Sequence, residues 1–173
     1  MRRIITFSLF LFSFVLNAQF GFEEIIISDN SKFIEGPRSV NAADFDGDGD
    51  MDLLVSSFYD EKITWFENID GQGTYGTPNI ITAIADNAYN AIAADIDNDG
   101  DMDVVSAYVD DNRVIWFENT DGLGTFGASY IISSSATDAD GIVAGDINGD
   151  GTMDVLYSSL QNDKIAWHGN IDG

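Results

Sequence analysis

Short apolar runs alternate with turn residues along most of the chain. In its middle part, the β-prone segments 90–94, 102–108, 113–119 and 128–133 are separated by turns rich in Asp, Asn and Gly. From residue 19 onwards, apolar residues do not recur at helical spacing over three turns. Short strands with turns between them are typical of an up-and-down antiparallel sheet. The pattern therefore predicts an all-β protein built from short strands.

This pattern repeats with a fixed period. The nonapeptide DFDGDGDMD at residues 44–52 returns, with substitutions, at residues 95–103 and 146–154, a step of 51 residues each time. Aligning residues 44–82 with 95–133 gives 19 identities in 39 positions without a gap. A four-stranded antiparallel unit with a period of about 40 to 50 residues is typical of a propeller blade. We therefore predict a partial β-propeller of about three four-stranded antiparallel blades with a 51-residue repeat.

The expected strand count leaves the ring of blades open. A leading outer strand over residues 22–28, two complete four-stranded units and a three-stranded unit make twelve strands. Closed propellers usually have about four to eight blades. We expect the ring to be completed by further repeats of a longer protein or, as the second alternative, by self-association of several copies. The predicted division of the chain is a signal peptide (1–18), a leading outer strand with the first inner strand (19–43), repeat 1 (44–94), repeat 2 (95–145) and a truncated repeat 3 (146–173).

Each copy of the nonapeptide carries oxygen-bearing side chains at alternate positions. Such spacing, with Gly at position 6 for a sharp turn, wraps a loop around a hard cation. Positions 1, 3 and 5 offer side chains, position 7 a backbone carbonyl and position 9 a carboxylate. The predicted ligands are Asp44, Asp46, Asp48, the Asp50 carbonyl and Asp52 in the first loop; Asp95, Asp97, Asp99, the Asp101 carbonyl and Asp103 in the second; and Asp146, Asn148, Asp150, the Thr152 carbonyl and Asp154 in the third.

These loops differ from an EF-hand at position 12, where Val55, Ser106 and Tyr157 stand instead of the closing Glu. We therefore expect the Asp at position 9 to close each site. Oxygen ligands without His or Cys favour Ca²⁺ over zinc or copper, and Mg²⁺ prefers a tighter octahedron. A solvated acidic turn would explain one such loop, but three copies in register favour up to three structural Ca²⁺ sites. The third loop has three carboxylates instead of four, so we expect the weakest binding there.

The charge and the lack of cysteine exclude several kinds of binding partner and metal site. The chain has 30 acidic and 7 basic residues, a formal net charge of −23. Such a charge repels nucleic acid and anionic membrane surfaces. Thirteen of the acidic residues lie in the three nonapeptides, where a divalent ion would neutralise them. The chain has no cysteine, which excludes disulfides and thiolate metal sites.

The first eighteen residues have the pattern of a secretory signal peptide. Arg2 and Arg3 precede the apolar run from Ile4 to Leu16, and Ala18 offers a small residue for cleavage. The run is too short to span a bilayer, which takes about 20 residues. We therefore expect a secreted protein, extracellular or on the cell surface, without a membrane span.

The acidic loops, together with three pairs of an aromatic residue followed by glycine, resemble a known repeat family. Tandem Asp-x-Asp-x-Asp-Gly-x-x-Asp loops, with Phe20-Gly21, Tyr75-Gly76 and Phe126-Gly127, are similar to the FG-GAP repeats of integrin α-subunit propellers. They are closer still to the related VCBS repeats of secreted bacterial proteins. The resemblance covers residues 20–173 and implies a calcium-bearing β-propeller used for adhesion, ligand binding or display. It does not imply one ligand, since some similar propellers are lectins and others are polysaccharide lyases.

Two functions fit these observations. The first is a secreted, calcium-binding, non-catalytic module that binds or adheres to an extracellular protein or glycan. The alternative is a segment of a carbohydrate-binding or carbohydrate-active propeller. Trp65, Trp116 and Trp167 recur once per repeat and either stack on sugar rings or, as we prefer, fill the space between blades. The only histidine is His168, and no nucleophile with a base is recognisable, so we expect no catalytic residues.

Overall fold

The computed structural model describes residues 21, 23–27 and 34–173. These residues form eleven β-strands and no helix. The strands are β1 (Pro37–Ala43), β2 (Asp52–Ser57), β3 (Lys62–Phe66), β4 (Asn79–Thr82), β5 (Ala88–Ala94), β6 (Asp103–Tyr108), β7 (Arg113–Asn119), β8 (Phe126–Ser133), β9 (Ala139–Gly145), β10 (Asp154–Ser159) and β11 (Lys164–His168). The predicted signal peptide, residues 1–18, lies outside the described residues.

The strands form three antiparallel sheets in chain order. The first sheet runs β1-β2-β3-β4, the second β5-β6-β7-β8 and the third β9-β10-β11. Every pairing within a sheet is between strands adjacent in sequence, as in an up-and-down meander. The first strand of the middle sheet, β5, contacts both β1 and β9. The open, unclosed array confirms the predicted partial β-propeller with its 51-residue repeat.

The central strands are the most buried because both of their faces are covered. All six residues of β6 are buried, whereas β4 at the edge of the first sheet is exposed or half-buried along its length. A strand with neighbours on both faces needs apolar or small side chains at every position. The sequence of β6 (DVVSAY), in the middle sheet, meets this need.

Two hydrophobic cores lie between successive sheets. The first joins Leu54, Ile63 and Trp65 of the first sheet to Val104 and Phe117 of the second, among others. The second core has the same arrangement one repeat later. Its buried members are Ala94, Ile96, Val105, Ala107, Val114, Ala136, Ala139, Ile142, Val155 and Tyr157. Each sheet therefore buries apolar side chains against its neighbour.

The predicted leading outer strand is wrong over its described part. Residues 23–27 form no strand, and Ile25, Ile26 and Ile27 are 69%, 66% and 49% exposed. Phe22 and Ser28 lie outside the described residues. A strand needs a sheet edge to bond with. None of the described sheets pairs an edge with these residues, so the described part contains eleven strands instead of twelve.

The repeats of the sequence and the sheets of the structure are offset. A 51-residue repeat counted from an acidic loop contains the last three strands of one sheet and the first strand of the next. The acidic loops themselves join the first strand of each sheet to the second. Among the described residues, no helix has the length and apolar character needed to cross a membrane.

Candidate metal centres

Each acidic loop is held in shape by its own side chains. In the first loop, Asp44 accepts hydrogen bonds from the backbone N–H groups of Gly47 at 2.8 Å and Gly49 at 2.9 Å. Asp46 and Asp48 each accept one from the residue two positions ahead. Such local bonds are the turn-forming chemistry of Asp. They leave the remaining carboxylate oxygens of the loop free for other partners.

The first two loops bring three carboxylates together. In each, one oxygen from the Asp at positions 1, 3 and 5 lies within 4.8 Å of the others: Asp44, Asp46 and Asp48 in the first loop, and Asp95, Asp97 and Asp99 in the second. Calcium takes oxygen ligands at about 2.3–2.6 Å, so oxygens around one ion lie at such mutual distances. The sequence-based grouping of positions 1, 3 and 5 is thus present in the geometry.

Two features of these triads fit a cation. Oδ1 of Asp95 is buried and has no hydrogen-bond partner, which is costly for a carboxylate oxygen without a counter-ion. Burial, followed by the negative charges of neighbouring aspartates, raises the pKa of both Asp46 and Asp97. A divalent ion would remove both penalties at once. An all-oxygen donor set of this charge suits Ca²⁺.

The Asp at position 9 is placed differently from the triad. Asp52 is 1% exposed, and its two oxygens accept hydrogen bonds from Phe45 N–H at 3.0 Å and Asn68 N–H at 2.8 Å. Asp103 and Asp154 make the same pair of bonds in the other loops. The position-9 carboxylate therefore ties its loop to the end of the third strand. Whether it also closes the metal site, as the sequence predicts, stays a prediction.

Burial controls the acidity of this buried carboxylate in the second loop. Desolvation raises the pKa of Asp103 from 3.8 to about 6, although the bonds from Asn119 and Ile96 oppose the rise. A positive ion beside the carboxylate would reverse this shift.

At position 7 the side chain packs against a glycine in the turn after the third strand of the sheet. The carboxylate of Asp50 lies over Gly71, where an added Cβ would be 2.5 Å from Asp50 Oδ2. Asp101 lies in the same way over Gly122, at 2.5 Å from its Oδ1. Gly71 and Gly122 have φ of +63° and +62°, so the turn needs glycine for its backbone as well as for this approach. The ligand predicted at position 7 is the backbone carbonyl, and this stays a prediction.

The third loop replaces charge by internal hydrogen bonds. Asn148 Nδ2 donates to Asp150 Oδ2 at 2.7 Å, and Thr152 Oγ1 donates to Asp150 Oδ1 at 2.6 Å. These donors lower the pKa of Asp150, the Thr152 hydroxyl contributing most. A carboxylate already satisfied by two neutral donors gains less from a cation than an unpartnered one.

Comparison with known proteins gives the chain its family. The profile described as FG-GAP-like repeat matches twice, at residues 44–106 and 95–157, and so spans about two thirds of the chain. The chain belongs to the FG-GAP-like repeat family. Both matches begin at the first Asp of an acidic loop, so the family pattern and the candidate metal centres coincide.

Beside the FG-GAP-like match, the fold is similar to that of a solved lectin. A lectin of Agrocybe aegerita, described by its recognition of non-reducing terminal N-acetylglucosamine, is 18% identical with a TM-score of 0.49. The likeness covers 76% of this chain and 38% of that one, so this chain spans about two fifths of the lectin's length. No curated protein matches the sequence significantly.

In this FG-GAP-like chain, an Asn at the end of each third strand has a role that sequence reasoning missed. Asn119 Nδ2 donates to the carbonyl of Phe45, 2.9 Å away in the loop of the preceding sheet, and its Oδ1 accepts from Gly124 N–H. Asn170 Nδ2 donates to Ile96 O at 2.7 Å in the same way. The 51-residue recurrence of this Asn was the available signal. Asn119 and Asn170 thus join the first and second acidic loops to the sheet that follows each.

The repeated tryptophans mostly serve packing, as preferred from the sequence. Trp65 is 4% exposed and packs 5.9 Å from the ring of Phe45, and Trp116 packs against the second core. Only Trp167, in the third sheet, is 48% exposed. His168 is half-buried and stacks on Tyr157 at 5.7 Å, where burial lowers its pKa.

Proposed function

We propose that this FG-GAP-like chain is a secreted, calcium-binding, non-catalytic binding or adhesion module whose blade loops are stabilised by Ca²⁺. The convergence of three aspartate oxygens in each of two loops carries the proposal. At position 2 of the first loop, the buried Phe45 packs between Trp65 and Phe126. Its N–H donates to Asp52 of its own sheet, and its carbonyl accepts from Asn119 of the next sheet. An ion that fixes the loop therefore also fixes the contact between blades.

The expected size of the effect follows from mass action. A cation held only by the folded chain stabilises it by about 2.7 kcal/mol per site at a free concentration of 100 Kd. Extracellular calcium modules have Kd values of about 10⁻⁴ to 10⁻³ M. Two good sites and a weaker third are thus a substantial part of the stability of a domain, which is about 5–15 kcal/mol in total.

The non-catalytic part of the proposal rests on how the acidic groups are used. The triads lie in loops built around a cation, and the buried Asp52, Asp103 and Asp154 are bonded to backbone N–H groups. His168 stacks on Tyr157 instead of facing a serine or a carboxylate. The ligand in this proposal is an extracellular protein or glycan bound by the outer surface of the blades.

Terbium luminescence tests the metal sites directly. Tb³⁺ takes the place of Ca²⁺ in oxygen sites, and nearby tryptophans sensitise its emission. We expect a saturable signal that Ca²⁺ displaces and excess Mg²⁺ displaces poorly. Replacing Asp46 and Asp97 by Ala together should remove most of it.

The matched control is the pair Asp60→Ala and Asp111→Ala, which removes the same charge from the turns between second and third strands. If the control loses the terbium signal equally, the sites are not where we place them. If the Asp46 and Asp97 variant keeps the full signal, the calcium proposal is wrong.

A further inference from the structure

The last sheet carries an apolar face that its predecessors keep covered. We call Val143, Leu156, Ile165 and Trp167, on the side of the third sheet away from the second, the exit face. Ile63, Val114 and Ile165 stand 51 residues apart, and the first two are fully buried while Ile165 is 83% exposed. The side chain that fills a core in two sheets is thus open to solvent in the third.

The first sheet carries the matching opposite face. We call Val40, Leu53, Val55 and Phe66 the entry face; together with Ile25, Ile26 and Ile27 they line a cleft of about 800 Å³. Val40 is 69% exposed, whereas Val55 and Phe66 are buried. One repeat later, the counterparts of Val40, Leu53 and Phe66 belong to the core that also contains Ile63 and Trp65: they are Ala91, Val104 and Phe117. The cleft is therefore a receiving surface for an exit face.

The polar groups of the two faces are complementary as well. Asn119 and Asn170 each donate across a sheet boundary to the carbonyl of the second residue in the preceding acidic loop. The corresponding donor on the first sheet is Asn68, whose Nδ2 bonds only to Met51 O within its own sheet among the described residues. The corresponding carbonyl on the third sheet belongs to Ile147, which is 51% exposed. The Asn68 donor and the Ile147 carbonyl thus lie on the first and third sheets, where neither forms a bond between sheets among the described residues.

A tryptophan and a glycine form a second matched pair. Trp65 packs so closely on Gly124 of the next sheet that an added Cβ would be 2.3 Å from its Cζ2. The equivalent glycine of the first sheet is Gly73, and nothing lies within 4 Å of a Cβ built there. Trp167 is the equivalent tryptophan; it is 48% exposed, and its indole packs on Gly169 of its own sheet, where an added Cβ would be 3.2 Å from its Cζ3. Its indole has the size to cover Gly73 of a neighbouring sheet.

We propose that the exit face of one copy of this chain docks on the entry face of a second copy, head to tail. The occupant is a second copy because it carries all three features that the in-chain boundaries use: the apolar cleft, the Asn68 donor and the open glycine. A heterologous contact either closes into a ring or continues as a filament. Two copies of residues 34–173 bring six sheets, within the usual range of about four to eight for a closed propeller, so this segment by itself can close as a dimer.

Sedimentation velocity of the secreted form of the chain tests this assembly. The wild-type chain is expected to sediment as a dimer at micromolar concentration. Ile165→Glu, on the exit face, and Val40→Glu, on the entry face, should each give a monomer, because a carboxylate cannot be buried there without a partner. The matched control is Ile84→Glu, since Ile84 is 82% exposed and lies on neither face.

Mixing the two variants distinguishes head-to-tail docking from other contacts. The Ile165→Glu chain keeps an intact entry face and the Val40→Glu chain an intact exit face, so an equimolar mixture should associate again. Re-association also shows that both variants are folded. A monomeric wild-type chain, a dimer that survives Val40→Glu, or a mixture that stays monomeric would each overturn the proposal.

Discussion

At the residue scale, the nine-residue loop divides its aspartates between two tasks. Asp44, Asp46 and Asp48 are at least partly exposed and converge on one point. Asp52 is buried, and its two oxygens accept hydrogen bonds from backbone N–H groups of two different segments. A buried carboxylate that accepts two N–H hydrogen bonds is satisfied, and these bonds join the two segments that donate them. The first group suits a cation and the second suits a structural tie.

Because of this division, we expect the substitution of Asp by Asn to affect stability differently at the two kinds of position. Asp52→Asn places an amide group against one of two backbone N–H donors and leaves that donor unsatisfied. We expect the free energy of unfolding in EDTA to fall by about 1–3 kcal/mol. Asp48→Asn keeps an oxygen for Asp50 N–H, so stability in EDTA should change by less than about 0.5 kcal/mol.

Urea unfolding of the two variants, each with and without calcium, measures both effects. Asp48→Asn should lose part of the stabilisation by Ca²⁺, because it removes one triad charge. Equal destabilisation of both variants in EDTA would show that the two positions do not differ in the way described.

At the element scale, the boundary between the first and second sheets contains a close approach to one glycine. Gly124 lies in the turn between β7 and β8, with φ of +76°, directly under the Trp65 indole. Gly73 lies in the equivalent turn of the first sheet, with φ of +93° and open space around it. The two positions share backbone conformation and differ in what covers them.

A pair of alanine substitutions isolates this contact. Gly73→Ala meets only the strain of a left-handed backbone, about 1–2 kcal/mol. Gly124→Ala meets the same strain and also displaces Trp65, which adds about 1–3 kcal/mol for overpacking. Thermal unfolding followed by tryptophan fluorescence should rank Gly124→Ala as the less stable variant and show an altered spectrum for it alone. Equal melting temperatures would mean that the Trp65 side chain can move aside without lowering the free energy of unfolding.

The strands were predictable from the sequence because alternation and turn residues are local signals. The segment 113–119 matches β7 in full, and the acidic loops fall between first and second strands as their spacing requires. The leading strand over residues 22–28 was not predictable in this way. A strand exists only with a partner edge, and pairing is a property of the assembled sheets, not of an isoleucine run.

The candidate site was predictable in part for a similar reason. Alternating aspartates place the triad through local turn geometry, which a nonapeptide specifies by itself. The ties made by Asn119 and Asn170 join residues 74 positions apart, so no local pattern could show them. Only the recurrence of Asn at the 51-residue step marked the position as special.

At the scale of the whole molecule, hydrogen bonds link the acidic loops to the contacts between sheets. The buried Phe45 of the first loop is bonded through its N–H to Asp52 in its own sheet and through its carbonyl to Asn119 in the next. Ile96 has the same two bonds in the second loop. Distortion of a loop by repulsion among its carboxylates must therefore strain the boundary that follows it. A cation that holds the loop should stabilise the array cooperatively.

Differential scanning calorimetry of the chain in calcium, in magnesium and in EDTA tests this central claim most directly. With two good sites, a gain of about 3–5 kcal/mol should raise the melting temperature by about 10 °C in calcium relative to EDTA. The increase should be much smaller in magnesium, and unfolding should remain a single transition. A melting temperature that is the same in all three solutions would contradict the account.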